Sequence, residues 1–215
     1  MSRIGSLFRR FRSGDKPEPP PETPQRARWV VAGLGNPEQR WLGSRHNTGF
    51  MVIERLAEIS HASVARRKFK GLYGEATIGA ELVILIKPQT YYNLSGECLK
   101  PLLSYFEVPA ERLIVVHDEL DLEEGRIQVK LGGGDAGNRG VRSVIESLGK
   151  SDFVRVRVGI SHPQRERDTK DYILESMAAA ESALLQDSIA RAAQAVEAII
   201  VEGPSRAMNR FNQRG

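Results

Sequence analysis

Polar side chains that could do chemistry occur in five short segments next to predicted strands and helices. They are residue 36, residues 45–47, 91–93 and 117–119, and a glycine-rich stretch at 132–140. α/β proteins gather such turns at one edge of an open sheet. A histidine from one turn and an aspartate from another could then form a base oriented by a carboxylate, which activates water to cleave an ester or an amide.

Histidines lie on two of these turns, His46 at a helix start and His117 beside Asp118 at a strand end. A histidine at a helix start is more often a cap or a solvated residue, so the pairing is a hypothesis. A second interpretation is a metal site formed by Asp118, Glu119 and Asp121, although three acids on one turn are more often solvated or capping groups.

Several familiar site patterns are missing from the sequence. Residues 33–38 begin like a dinucleotide-binding loop, but Pro37 and Glu38 break the pattern at the helix start and at the third glycine. Residues 132–134 lack the lysine of a phosphate-binding P-loop, and no Gly-x-Ser-x-Gly motif offers a serine nucleophile. Cys98 lies on an apolar helical face and is interpreted as a core thiol.

The apolar pattern predicts the elements that must position these residues. Buried runs or strict alternation predict strands at 29–34, 72–78, 82–86, 113–116, 127–131 and 154–160, with the second and third joined by a hairpin at Gly79-Ala80. Helical spacing predicts helices from an N-cap at Asn47-Thr48, from Ser95 to Phe106, over 141–148 and over 181–201. Strands that alternate with helices indicate an α/β domain around a central sheet.

The 215 residues, 40% hydrophobic and 27% charged, have the composition of a globular protein and exclude a fibrous or mostly disordered chain. A single cysteine excludes an internal disulfide and a cysteine-based zinc site. The net charge of +4 lies wholly in residues 1–28, and residues 29–215 carry 24 basic and 24 acidic side chains. Any RNA binding by the body must therefore come from how charge is distributed.

Residues 1–26 are predicted to be a basic, proline-rich extension of a domain at 27–215. A flexible tail, an amphipathic segment that touches membrane or RNA, and an organelle presequence in residues 1–14 are all open interpretations. The expected location of the protein is the cytoplasm, with organelle targeting left open.

The polar segments, read in order, resemble the motifs of bacterial-type peptidyl-tRNA hydrolases. The resemblance spans residues 29–212 and rests on Gly33–Pro37, Arg45–Gly49, Lys87–Gly96, His117–Leu122, Gly132–Gly134, Arg155–Pro163 and Ala207–Arg210. It implies a single α/β domain with a twisted mixed sheet flanked by helices. It also implies a monomer that needs no stable protein partner, no cofactor and no metal to hydrolyse the ester between a peptide and tRNA.

The same resemblance implies roles for individual residues. His46 would be the general base and Asp118 would orient it. Asn93 would position water or the scissile carbonyl, and Asn36 would distinguish a blocked amino end from a free one. From the residue types alone, both asparagines could instead be turn residues.

Further residues would hold the tRNA. Tyr91 would stack on its acceptor end, although from sequence alone it could be core. Lys130 and Arg157 would hold the 5′-phosphate, although a solvent-facing strand side would show such charges anyway.

The chain departs from the family pattern at several places. Asn138 and Arg139 stand where the glycine-rich loop usually has His-Asn, and would still contact substrate. Trp41 replaces the usual Tyr and keeps a stacking plane, and Tyr92 replaces the usual Met. The altered loop and the basic tail motivate a second hypothesis, a non-catalytic RNA-binding relative. The acidic turn motivates a third, a metal-dependent phosphohydrolase.

Overall fold

A seven-stranded mixed sheet forms the centre of the molecule. The computed structural model describes residues 29–163, 168–175 and 179–213, so the predicted N-terminal extension lies outside the described residues. The strands are β1 (Trp29–Gly33), β2 (Arg66–Lys68), β3 (Gly71–Ile78), β4 (Glu81–Pro88), β5 (Leu113–Glu119), β6 (Ile127–Leu131) and β7 (Val154–Gly159). Their spatial order is β2-β3-β4-β1-β5-β7-β6. The α/β fold class and its central mixed sheet are confirmed.

The middle of the sheet is parallel and its two edges are antiparallel. β1 runs parallel to β4 and β5, and β5 runs parallel to β7. β2, β3 and β4 are joined antiparallel at one edge, and β6 pairs antiparallel with β7 at the other. The carboxyl ends of β4, β1 and β5 therefore meet at one edge of the sheet, which is where open α/β sheets place their sites.

Helices cover both faces of the sheet. They are α1 (Thr48–Ile59), α2 (Gly96–Tyr105), α3 (Arg139–Leu148), α4 (Thr169–Leu174), α5 (Ala179–Glu202) and α6 (Pro204–Phe211). α1, α5 and α6 bury the face that carries Val31 and Val116, while α2 and α3 bury the face that carries Ala32 and Val115. Among the described helices, none combines the length and apolar character that crossing a bilayer requires.

Two glycines let the start of α1 lie directly against the end of β1. A Cβ on Gly49 would lie 2.4 Å from Leu34 N and 2.6 Å from Val116 O, and one on Gly33 would lie 2.1 Å from Gly49 O. Only glycine fits this close approach of two backbones. It brings the turn before α1 against the carboxyl end of β5.

The structure corrects some of the predicted details. β5 continues through His117, Asp118 and Glu119, which the sequence pattern placed at its end, because the ladder to β7 extends to Gly159. Asn47 does not cap α1 with its side chain, which instead bonds to the 36–41 loop. β2, α4 and α6 were not predicted, because segments of three to eight residues are too short to show a clear apolar period.

Candidate active site

A cleft of about 680 Å³ opens at the carboxyl edge of the parallel strands. It collects seven of the ten residues that the sequence proposes for the site: Asn36, His46, Tyr91, Asn93, Asp118, Asn138 and Arg139. These seven come from turns that are up to about a hundred residues apart in the chain. Their positions around one cleft agree with the expectation that the polar turns converge on one edge of the sheet.

His46 and Asp118 form a hydrogen-bonded pair at the floor of the cleft. His46 lies on a 3₁₀ turn over Arg45–Asn47, and its Nδ1 is 2.9 Å from Asp118 Oδ2. A carboxylate only accepts hydrogen bonds, so Nδ1 carries the proton and Nε2 keeps its lone pair. The pair thus has the geometry of a general base oriented by an acid.

The pKa of the Asp118 carboxyl is lower than usual despite its burial. Burial by itself would raise this pKa, but the charge of and the hydrogen bond from His46, with a further bond from Tyr92, outweigh that effect. Asp118 therefore stays ionised and remains an acceptor for the imidazole.

Tyr92 and Asn138 complete the surroundings of the pair. The ring of Tyr92 stacks on His46 with centroids 3.6 Å apart, and its hydroxyl donates to Asp118 Oδ1 at 2.7 Å. Asn138 Nδ2 donates to that hydroxyl at 3.0 Å. Tyr92 is buried, whereas its neighbour Tyr91 is 61% exposed and lines the cleft, so the interpretation of Tyr91 as core is wrong.

Asn36 is held by the loop around it. Its backbone N–H donates to Asn47 Oδ1 at 2.7 Å, and its side-chain oxygen accepts from the backbone N–H of Tyr92 at 3.1 Å. Asn47 also donates to the carbonyl of Trp41 at 2.9 Å. Within the part of the chain that the structure describes, the Asn36 amide nitrogen has no protein partner and is available to a ligand.

A buried arginine holds the glycine-rich loop by hydrogen bonds to its backbone carbonyls. Arg155 is almost completely buried and donates to the carbonyl of Gly134 at 2.7 Å and to that of Gly132. Asp135 bonds Arg142 at 3.1 Å, which closes the loop onto α3. Asn138 then caps α3, and exposed Arg139 reaches the cleft beside it.

Lys130, Arg157 and Trp41 do not line the cleft. Arg157 bonds Glu119 at 2.9 Å and 2.8 Å and also contacts Gln128, so it does not lie on a solvent face. Lys130 lies on β6 opposite Arg155, with its Nζ 3.5 Å from where a Cβ of Gly133 would be. Trp41 lies on the loop before His46, where Arg40 stacks over its ring at 4.7 Å.

The three acids of the alternative metal site point to three different partners. Asp118 bonds His46, Glu119 bonds Arg157, and Asp121 bonds His162 at 2.9 Å. Within residues 29–163, 168–175 and 179–213, no group of three metal-ligating side chains converges. This arrangement gives the metal-dependent hypothesis no support.

Sequence reasoning missed one wall of the cleft and one pair within it. α4 contributes Thr169, Ile173 and Leu174 to the lining, and it is held over the His46 turn because Arg45 stacks on Tyr172 at 4.2 Å. The His162–Asp121 pair also lines the cleft. The sequence proposed Asp121 only as a candidate metal ligand, and the one signal for His162 was its place in the motif Arg155–Pro163.

Comparisons with known proteins show the family of this chain. Residues 30–215 match the family model for peptidyl-tRNA hydrolase. The chain is 42% identical to the peptidyl-tRNA hydrolase of Carboxydothermus hydrogenoformans over 87% of this chain and all of that protein. It is 40% identical to that of Bacillus subtilis over 86% of this chain and 98% of that one.

The fold of this chain is also similar to that of a solved structure. The crystal structure of peptidyl-tRNA hydrolase from Acinetobacter baumannii superimposes with a TM-score of 0.80 at 32% identity, covering 86% of this chain and 94% of that one. The family model and the relatives cover nearly all of the body, and the similarity includes both sequence and fold. The chain belongs to the peptidyl-tRNA hydrolase family.

Proposed function

We propose that this chain hydrolyses the ester bond between peptide and tRNA, with His46 as the general base. His46 Nε2 takes a proton from water as the water oxygen attacks the ester carbonyl carbon. The tetrahedral intermediate then collapses, the bond to the ribose oxygen breaks, and His46 returns the proton to that oxygen. The observation that carries the proposal is the 2.9 Å bond between His46 Nδ1 and Asp118, which leaves Nε2 free to act.

Asp118 has two tasks in this mechanism. It holds the imidazole in the tautomer that presents a lone pair at Nε2, and its charge stabilises the imidazolium that forms during attack. The lowered pKa of the Asp118 carboxyl supports both tasks because the group is an anion at neutral pH.

The amide side chains of the cleft would bind the substrate around the reacting carbonyl. Asn93 is exposed in the cleft and would position the water or the carbonyl oxygen. The unpaired amide nitrogen of Asn36 would donate to the peptide and favour substrates with a blocked amino end. Such donors strengthen as charge develops on the carbonyl oxygen, which suits an ester with a good leaving group.

The acceptor end of the tRNA would lie across the open side of the cleft. Exposed Tyr91 would stack on its terminal base or ribose, and Asn138 and Arg139 would contact the ribose and phosphates. Trp41, on the loop before His46, offers a second stacking plane.

The 5′-phosphate would bind next to the glycine-rich loop. Lys130 and Arg157 project from one face of β6 and β7, because Lys130 pairs with Arg155 and Gln128 with Arg157 in the ladder. Arg157 is already neutralised by Glu119, so Lys130 would provide most of the charge. Removing the 5′-phosphate from the tRNA should weaken binding to the wild type and leave binding to Lys130→Ala nearly unchanged.

We propose that the protein acts as a monomer, as the resemblance to the family implies. Its substrate would be peptidyl-tRNA released prematurely from ribosomes in the cytoplasm, and the reaction would recycle the tRNA. Size determination in solution, with and without tRNA, tests the oligomeric part of this proposal.

Release of peptide from N-blocked aminoacyl-tRNA tests the reaction. Wild type should cleave the ester in the presence of a chelator, and His46→Ala should bind the tRNA without cleaving it. Cleavage by His46→Ala at the wild-type rate would contradict the base role. A wild type that binds tRNA without cleaving it would instead support the non-catalytic alternative.

A further inference from the structure

Tyr92 contacts both members of the His46–Asp118 pair. Its ring lies on the imidazole of His46, with the two planes 20° from parallel. Its hydroxyl binds Asp118 Oδ1, whereas His46 binds the other carboxylate oxygen, Oδ2. One side chain thus restrains the base by packing and the carboxylate by a charge-assisted hydrogen bond.

Asn138 determines the direction of the Tyr92 hydrogen bond. Asn138 Oδ1 accepts from the backbone N–H groups of Gly140 and Val141, each at 3.0 Å, so its NH₂ group faces Tyr92. A hydroxyl that accepts from this NH₂ keeps its own proton for a carboxylate, which can only accept. The hydrogen bonds therefore run from the Asn138 amide through the Tyr92 hydroxyl to Asp118 Oδ1, while His46 donates to the other carboxylate oxygen, Oδ2.

The surroundings hold the Tyr92 side chain in this position. Burial first, and then the charge of Asp118, raise the pKa of Tyr92 well above its ordinary value, so the hydroxyl keeps its proton. Its backbone N–H donates to Asn36 at 3.1 Å. A Cβ on Gly140 would lie 2.5 Å from the ring, so the glycine leaves the space that the ring fills.

We propose that Tyr92 is a positioning residue of this hydrolase, whose hydroxyl, directed by Asn138, fixes the Asp118 carboxylate and through it the orientation of His46. The inference rests on the base role proposed above for His46. It also connects two departures from the family pattern, Tyr in place of Met at 92 and Asn in place of His at 138, because the two side chains bond each other.

Tyr92→Phe tests the inference, because it removes the hydroxyl and keeps the ring on His46. We expect kcat to fall about tenfold with KM within about twofold of wild type, since the lost bond acts on the base and not on bound substrate. Tyr105→Phe is the matched control. It makes the same change on a half-exposed tyrosine at the end of α2, and it should keep the wild-type kcat.

A double-mutant cycle separates positioning from general structural support. In an Asp118→Asn background, Tyr92→Phe should cause no further loss of kcat, because the hydroxyl acts through the carboxylate. An equal loss in both backgrounds, or an unchanged kcat in the single variant, would overturn the inference.

Asn138→Ser tests the directing role. Serine keeps an oxygen that can cap α3 but is too short to reach Tyr92. We expect a smaller loss of kcat than for Tyr92→Phe. The loss should be smaller still when Tyr92 is already Phe, because only the part that acts through the hydroxyl is then absent. An equal loss of kcat in both backgrounds would overturn the directing role of Asn138. If His46→Ala is inactive while Tyr92→Phe keeps the wild-type kcat, only this inference fails, and the proposed reaction stands.

Discussion

The cleft contains two histidine–aspartate pairs of equal length and very different surroundings. In both His46–Asp118 and His162–Asp121 a ring nitrogen lies 2.9 Å from a carboxylate oxygen. The side chains of the first pair are 14% and 5% exposed, and those of the second are 61% and 63% exposed. Distance alone would assign the two pairs the same chemistry.

Burial separates the two pairs. His46 and Asp118 are largely shielded from solvent, so charge interactions between them are stronger than at the surface, and Tyr92 limits the positions that both side chains can take. The exposed pair is screened by solvent, and either partner can exchange its contact for water. A fixed proton position, which a base requires, is therefore a property of the first pair only.

Removing each histidine gives the largest expected difference between the pairs. His46→Ala should lower kcat/KM by roughly 10³-fold or more, because the base is lost. His162→Ala should lower it by less than about threefold, because a screened surface pair contributes little. The same peptide-release assay measures kcat/KM for both variants. A loss in His162→Ala as large as that in His46→Ala would mean that burial is not what distinguishes the pairs.

Replacing each aspartate by asparagine sharpens the comparison. Asp118→Asn should lower kcat about 10²-fold while the cleft stays intact, because an amide can hold the imidazole in the wrong tautomer and does not stabilise the imidazolium. Asp121→Asn keeps the same shape at the exposed pair and serves as the control, with kcat close to wild type. Equal kcat for the two variants would contradict the orienting role of Asp118.

The pH dependence of stability should differ between the same two variants. The pKa of Asp118 is lower in the folded chain than in the unfolded chain, so its ionised form favours folding. That contribution is complete above the ordinary aspartate pKa of about 3.9 and is lost as the pH falls through the folded-state value.

Urea unfolding from pH 7 to pH 2.5 measures this effect. Wild type should lose stability relative to Asp118→Asn below about pH 4. The change relative to Asp121→Asn should be smaller, because the exposed pair is screened by solvent and contributes little to stability. A constant difference in unfolding free energy between wild type and Asp118→Asn across the range would show that the carboxylate is not stabilised by its partners.

The labelling rate of the Cys98 thiol shows whether any of these variants acts by partly unfolding the protein. The expected change in this rate is the smallest of the predicted effects. The thiol lies on the buried face of α2, and burial raises its pKa to about 12, so it should not react with a thiol reagent at pH 8. Wild type and all four variants should label at the same slow rate, and rapidly only in denaturant. Fast labelling of native Asp118→Asn would reassign its activity loss to unfolding.

Much of the fold was predictable because the apolar pattern has a clear period. Ile127, Val129 and Leu131 alternate along β6, and α2 repeats apolar residues every three or four positions. The order of the motifs predicted the activity and the pairing of His46 with Asp118. The comparisons confirm the family and the fold. The individual roles of the site residues remain predictions.

Other features depended on tertiary contacts that residue type does not reveal. Two adjacent tyrosines differ completely, because Tyr92 enters the core beneath His46 and Tyr91 faces the cleft. Asn47 has the residue type of a cap, yet its side chain holds the loop of Asn36 and Trp41. The surroundings of each side chain, and not its own preference, decide these outcomes.

The contact between Gly33 and Gly49 has a consequence for anyone who would engineer this protein. Glycine in the first turn of α1 invites replacement by alanine, which raises helix propensity in an isolated helix. Here the added methyl group would meet the backbone of Leu34 and force α1 away from the sheet. His46 precedes α1 and Asp118 lies on β5. The substitution that raises helix propensity would therefore also move His46 away from Asp118. This contact thus determines how far apart His46 and Asp118 lie, although neither glycine belongs to the proposed catalytic pair.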